Sequence, residues 1–591
     1  MKHVPAFVLF PLLILLALCG NVVSADTEEA AGTPTPPRLS YLEGPASYWQ
    51  PGEQDWANAS VNLPLAVGDS LYTGNASTLE LQIGSRSFIR ASENSELTLM
   101  NQDEHFIQVE VTSGLVSFDI RSITEGDTIE VDTPRAVFTI EQPGYFRLEV
   151  AADTIHFITH RSGRATVTTA DGRSMSIYPS EDIVVSGDNP VMVETYAAPA
   201  RDAWDTWNHE RSESVTESVS SRYLPPDIWG AEALDPYGQW RVVPEYGAVW
   251  IPNDVEPDWV PYSTGNWIVD PNYGWTWVDD APWGWAPFHY GRWVSVNGIW
   301  CWAPGSVSHR ALYAPALVGF MTRKPDLAAR LGAGEPTLSW VPLGWGEPVL
   351  PWWGPQDYRG HPHWLGWGGP RVAFNGAAYH FRNADLPRGV LTAPLQTFGR
   401  PHLAATVDSR FRQEDFTPIQ GDLPIKPSPS NFPGSVERGI QPPHDIAARR
   451  VISTRPPRET ALPWQNAATR TRLRAAPEPQ IVQAPPHQTG STAPLPRPPF
   501  GIPGAAARAT APSAETRPLS PNPGHTPAFL RSPTVQVSPT LAPMTVRPAP
   551  HAQTRAPTPP SGRQGSAKPL PGQPANQTYS PGNPNAPRWA R

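Results

Sequence analysis

Between residues 38 and 195, apolar and polar side chains alternate in short runs. Clear examples are TLELQI at 78–83, ELTLM at 96–100, FIQVEV at 106–111 and TVTT at 166–169. Turn-forming pairs separate them: Val67-Gly68-Asp69, Thr73-Gly74-Asn75, Ser113-Gly114, Pro143-Gly144 and Asp171-Gly172. A period of two, broken by Gly and Asp, predicts a mostly antiparallel β domain. In this register Glu80, Glu130 and Glu149 fall on the solvent side of their strands. A solvated strand face explains them better than a pair of catalytic acids.

The pattern changes at residue 196. From 196 to 225 the chain is polar, and DAWDTWNHERSESVTESVS at 202–220 is the one stretch with helical character, a short connector. From 226 to 395 a repeat takes over. Trp259-Val-Pro-Tyr-Ser-Thr-Gly-Asn-Trp267 and Trp285-Ala-Pro-Phe-His-Tyr-Gly-Arg-Trp293 share W-x-P-[Y/F]-x-x-G-x-W at a spacing of 26 residues. A degenerate copy runs from Gly238 to Trp250, and Trp340-Val-Pro-Leu-Gly344 echoes the motif.

Each copy reads as a β-hairpin. Asn297-Gly298 supplies the positive φ angles of a two-residue turn, and Pro271-Asn272-Tyr273-Gly274 closes a longer one. Trp275 and Trp277, Trp283 and Trp285, and Trp300 and Trp302 lie two apart, so each pair is expected on one face of a strand. Pro261, Pro282, Pro287 and Pro304 are placed to link hairpins and end strands.

Composition sharpens the picture at both ends. Twenty of the 24 tryptophans lie between residues 204 and 367. Beyond residue 400 the chain holds 39 of its 74 prolines, and 21 Lys and Arg against 9 Asp and Glu. That region is expected to be disordered through 400–591, with polyproline II character. It is either a basic tether for polyanions or a solvated spacer. At the other end, Lys2-His3 precedes an apolar run, Val4–Leu18, and Val23-Ser24-Ala25 fits small-x-small cleavage. Residues 1–25 therefore read as a signal peptide, with a lipid-modified Cys19 as the alternative. The chain is expected to be exported to the periplasm or cell surface of a bacterium, with no transmembrane span after cleavage. Cleavage leaves Cys301 as the remaining cysteine, without a disulfide partner and expected buried and inert.

Two resemblances follow from these residues. PLAVGDSLYTGNASTLELQIGSRSFIRASENSELTL, followed in order by GLVSFDI, IEVDTPRAVFTI, PGYFRLEV and SGRATV, resembles the FecR domain over residues 38–190. The resemblance implies an all-β extracytoplasmic domain. In the FecR regulator such a domain senses an outer-membrane transporter and relays the signal through a cytoplasmic anti-sigma segment. Only three residues precede the apolar run here, which speaks against direct signalling to a sigma factor. GWTWVDDAPWGWAPFHYGRW with CWAPG, YAPALVGF, WVPLGWGEP and YHFRNADLPRGVLTAP is similar to Trp-rich bacterial envelope proteins that carry this block after a FecR-like domain. That likeness implies a domain order and no chemistry.

The expected fold class is mainly β: a FecR-like antiparallel domain at 38–195, Trp-rich hairpin repeats at 226–395 and a long Pro-rich tail. Indoles can serve such a fold in two ways. Large rings let short hairpins build a core, and Trp267, Trp277, Trp293 and Trp302, at matching repeat positions, are expected to be buried. Exposed rings can instead stack on sugars. Trp352 and Trp353 in LPWWGPQD, and Trp364 and Trp367 in HPHWLGWGG, lie outside the hairpins and are the candidate glycan-stacking rings, expected to be half covered.

Other chemistry is sparse. His361 and His363, with Asp357, have too few partners for a zinc site, and no metal or cofactor is expected. His289 reads as a hydrogen-bonded or half-exposed ring. Asp279-Asp280 and Asp254, Glu256 and Asp258 read as solvated turns, without the pattern of a calcium loop or a glycosidase pair. No catalytic constellation emerges, and specific nucleic-acid binding is not expected of an acidic exported body. The sequence points to a non-enzymatic envelope protein that binds or scaffolds envelope polymers or proteins. A signalling accessory and a carbohydrate-active enzyme are the alternatives.

Overall fold

The chain is mainly β, built from several antiparallel sheets. The computed structural model describes residues 35–483 except 104, 124–125, 226–227, 308–310, 325–334, 354–378, 401–404, 433–436 and 459–476. Among the described residues no helix is long and apolar enough to cross a membrane.

Sixteen strands between Arg38 and Ala197 join into one system. Its pivot is the fifteen-residue strand Phe106–Ile120. The first half of that strand pairs with Glu96–Asp103 and, in parallel, with Thr128–Asp132; the second half pairs with Ser87–Ala91 and Gly144–Val150. One strand thus serves two sheets, and it passes between them at Gly114. There φ is +95°, and a Cβ would lie 2.1 Å from Ser95 Oγ. A glycine meets both demands. The inner faces meet in a core that includes Leu39, Val111, Phe118, Phe146 and the stacked rings of Phe138 and Phe157, 4.4 Å apart.

The period-two pattern gives this domain a solvent side, and the structure corrects what lies on it. Glu149 is there, its side chain 40% exposed beside Arg147. Glu80 and Glu130 are buried, because further chain covers the outer faces of their sheets. Over Glu80 the cover is the expected helix, Ala203–Thr216, started by a capping box between Asp202 and Asp205. It has no apolar stripe and docks through polar groups. The Tyr145 hydroxyl donates to Asp205 at 2.8 Å, and Arg211 donates twice to Glu80, each at 2.8 Å. Arg90 completes the cluster at 2.7 Å from Glu80. What the sequence offers as a connector is a docked part of the first domain.

The tryptophan region folds as the repeat predicts, with one exception. Strands Gly265–Asp270 and Gly274–Asp279 form one hairpin. Hairpins Gly238–Val243/Gly247–Pro252 and Arg292–Val296/Ile299–Ala303 join into a four-stranded sheet. Asn297 and Gly298 have φ of +53° and +82°, as a two-residue turn requires. Across the four-stranded sheet Trp240, Trp250, Trp302 and Trp293 are successive cross-strand partners, a continuous indole ladder. Trp267 faces Trp277 in the other hairpin. All of the four repeat-position rings are at most 1% exposed. The exception is Trp283 and Trp285. They are not on a strand, because Pro287, without an N–H, starts a single helical turn at Ala286–His289. Both rings are buried nonetheless.

The two domains share packing. Ile268 and Val278 belong to the first domain's core. Arg38 donates to Glu232 at 2.9 Å, and the Asn62 amide donates to the carbonyls of Asp279 and Ala281 at 3.1 and 2.8 Å.

The boundary expected at residue 400 does not hold. Thr406–Val407 and Phe416–Pro418 are the two edges of a five-stranded sheet with Leu391–Pro394, Thr337–Pro342 and Val318–Arg323. The chain then crosses to the first domain. Phe432 enters its core, 5.8 Å from Tyr48. The Gly439 N–H donates to Trp56 O at 2.7 Å, Arg449 donates to Thr112 O at 2.9 Å, and the Ile452 N–H donates to Thr133 O at 3.0 Å. Prolines suit this segment because it is mostly extended, with short helical turns at Pro429–Asn431 and His444–Ala447, and its sparse apolar residues find a surface already folded. The rest of the expected disordered tail, 484–591, lies outside the described residues.

Candidate functional site

The stacking platform was expected at four rings, and the structure corrects two. Trp352 and Trp353 are 6% and 8% exposed. After the buried Val349 and Leu350 the chain turns back onto the Gly265–Asp279 hairpin. The Trp352 indole donates to Trp275 O at 2.8 Å, and its ring lies 4.8 Å from Phe320. Trp353 packs edge-on against it at 4.8 Å. A sugar cannot reach either face. Trp364 and Trp367 lie outside the described residues, as do Asp357, His361 and His363. No described tryptophan is fully exposed.

The buried polar groups of the Trp-rich core serve its turns. Asp270 accepts from the N–H groups of Asn272 and Tyr273 at 2.7 and 2.9 Å, fixing the turn that the sequence marks with proline and glycine. Burial raises its pKa to about 6 against those bonds. Asp279 is not the solvated turn residue expected. It accepts from Ala281 N–H and the Trp277 indole, at 3.0 and 3.1 Å, and burial holds its pKa well above the carboxylate range. Asp254, Glu256 and Asp258 are exposed, as read from sequence. His289 is fully buried, its Nδ1 2.8 Å from Ala314 O, and desolvation takes its pKa down to about 3. The Arg292 guanidinium donates twice to Glu347 O, at 3.0 and 2.7 Å. Cys301 is buried and desolvation raises its thiol to about 11, an inert state. These bonds fix local structure, while the buried His289 Nε2 has no hydrogen-bond partner among the described residues.

Where the strap meets the first domain, it closes over acids. Thr454 N–H donates to Glu130 at 2.9 Å, and the Thr454 and Ser453 hydroxyls donate to Glu130 and Asp132. Gln108 bridges the two carboxylates at 3.1 and 2.8 Å. Burial, and then the Glu130 charge, hold Asp132 well above its ordinary range. At the junction of the domains a cavity of about 10 Å³ lies between Tyr48, Leu63, Ile268 and Phe432. That is room for about one water. Sequence reasoning missed the strap contacts; the available signal was Val451-Ile452, an apolar pair beside two hydroxyl residues in a Pro- and Arg-rich run.

It also missed the accessible surface. Strand Met192–Ala197 ends the sheet path of the first domain, and five of its six residues are exposed. Met192 and Tyr196 are 54% and 52% exposed.

No curated protein matches the chain. Two crystal structures of a Parabacteroides distasonis ATCC 8503 protein described as an anti-sigma factor are similar to it at 15% and 14% identity, each with a TM-score of 0.20. Each match covers 22% of this chain and 60% of that one. The chain thus spans less than two thirds of that relative, and a likeness of this degree carries no argument about fold or role. Residues 231–347, from the first hairpin of the indole ladder through strand Thr337–Pro342, match DUF6600, a family of unknown function.

Proposed function

We propose that this chain is an exported, non-enzymatic scaffold of the bacterial cell envelope, whose folded body carries a basic terminal unit to acidic envelope polymers. The leader at residues 1–25 supports export. The observation that carries the reading is the route of the strap. Contacts from Phe416 to Arg458 fasten the chain across both domains. Beyond it, residues 493–591 divide off as a separate unit. That unit holds ten Lys and Arg against one acid, Glu515. A cationic segment attached to an acidic body favours polyanions through long-range attraction, weakened by salt. The covered faces of Trp352 and Trp353 remove the support for sugar stacking at those two rings.

Cosedimentation with an insoluble acidic polysaccharide tests the proposal. The full chain is expected to sediment at about 0.05 M salt and to release by about 0.5 M. A chain ending at Thr492 is expected to stay in solution at both. Equal sedimentation of the two chains would refute it.

A further inference from the structure

We propose that the strand Met192–Ala197 is a self-association edge, on which a second copy of the chain adds its own Met192–Ala197 strand, antiparallel, about a two-fold axis at Thr195. Exposed edges are commonly blunted by Lys, Pro, a bulge or a covering loop. This one has none of these within the strand. Its register with Glu181–Ser186 is regular over six residue pairs. Its sequence, MVETYA, carries a single charge, Glu194.

The hydrogen-bonding parity of the edge decides how a second strand can sit. The Ala198 N–H donates to Ser180 O at 2.9 Å. Bonded pairs alternate along an antiparallel ladder, so Met192, Glu194 and Tyr196 bond inward to the sheet. Val193, Thr195 and Ala197 then point their N–H and C=O groups outward. Two copies can bond only where these outward residues face one another.

Side chains choose among the allowed registers. Centring on Glu194 opposes two like charges, which is destabilising. Centring on Tyr196 brings Pro199, with no N–H, opposite Val193. Centring on Val193 enlists Val191, whose carbonyl already accepts from Arg173 at 3.1 Å. Centring on Thr195 keeps the like charges apart and holds every bonded pair within the strand, with Val191 and Pro199 facing one another only beyond its ends. It pairs Thr195 with Thr195 and Val193 with Ala197 in both directions. It also sets Glu194 opposite the second copy's Tyr196, the same two groups that hydrogen-bond along one strand. The edge is complementary to itself in that register, and this selects a second copy as the occupant.

Crosslinking of the full chain tests the register. In a bonded antiparallel pair the two Thr195 Cα atoms lie about 5.5 Å apart. Met192 faces Ala198 of the second copy, so the two Met192 residues stand six positions, about 20 Å, apart. Thr195→Cys is expected to give a covalent dimer with a short bis-maleimide, and Met192→Cys is not. The chain used starts at Asp26, without Cys19, and Cys301 contributes no background, being 1% exposed. Sedimentation equilibrium is expected to show reversible dimers of the unsubstituted chain. Thr195→Pro, which removes an outward N–H and no bond within the sheet, should weaken them at least tenfold without lowering the melting temperature. A chain that stays monomeric at about 100 μM, equal crosslinking at both positions, or undiminished dimers of Thr195→Pro would overturn the proposal. None of these outcomes touches polyanion binding, which is assigned to residues 493–591.

Discussion

Replacing Trp302 by Ala probes the use of the indoles most sharply. The ring is fully buried, faces Trp293 and Trp250 across the sheet, and donates to Tyr290 O at 2.8 Å. Truncating a buried Trp to Ala costs about 3–5 kcal/mol. Loss of the donor leaves a buried carbonyl unpaired, worth about 1–3 kcal/mol more. The expected total, about 5 kcal/mol, is a large share of a typical domain stability of about 5–15 kcal/mol. For a domain of about 150–250 residues each kcal/mol moves the melting temperature by about 2–4 °C, so a fall of about 10–20 °C follows. Trp300, two residues away and half buried, is the internal control and should cost about a third as much. Thermal melts followed by near-ultraviolet circular dichroism read both. Equal shifts for the two variants would refute the ladder as core.

Three further substitutions separate core, charge and strap. Trp352→Ala is expected to melt well below the unsubstituted chain, checked by calorimetry; an unchanged melt would restore an exposed ring. Burial alone would raise the Glu80 pKa, but the Arg90 and Arg211 charges outweigh it and bring it to about 2. Its folded value lies below its unfolded one, so its contribution is present above about pH 4.5 and is lost as pH falls toward 2. Urea titrations of the unsubstituted chain and Glu80→Gln should converge over that window. Asp132 has the opposite sign. Its folded pKa is raised, so its contribution is fully present below its unfolded value and is lost as pH rises through the folded one. Asp132→Asn is expected to reduce the pH dependence of proteolytic release of the Ile452–Thr454 segment, Glu130 still holding Thr454.

How much was legible in the sequence depends on which interactions are local. Alternation and turn pairs marked the strands, because period two and positive φ are properties of neighbouring residues. The repeat placed Trp267, Trp277, Trp293 and Trp302 in the core for the same reason. The register assigned Glu80 and Glu130 to solvent, and both are buried. It could not show that Arg211, 131 residues away, or Thr454, 324 residues away, would cover them. Trp352 looked like a loop ring because Gly and Pro surround it; its acceptor, Trp275 O, is 77 residues distant. The strap was hidden by average composition. A few residues such as Phe416, Phe432 and Ile452 decide its place, and proline-rich surroundings dilute them.

The strap is also what the account most needs to be true, since it makes the chain beyond residue 400 part of the body. Hydrogen exchange on the full chain, read by mass spectrometry, tests it directly. The amides of Thr417, Ile419, Gly439 and Ile452 are expected to exchange as slowly as those of the central strand Phe106–Ile120. Exchange of Gly439 and Ile452 at the rate of an unprotected peptide would contradict the account and return the whole region after 400 to the tail.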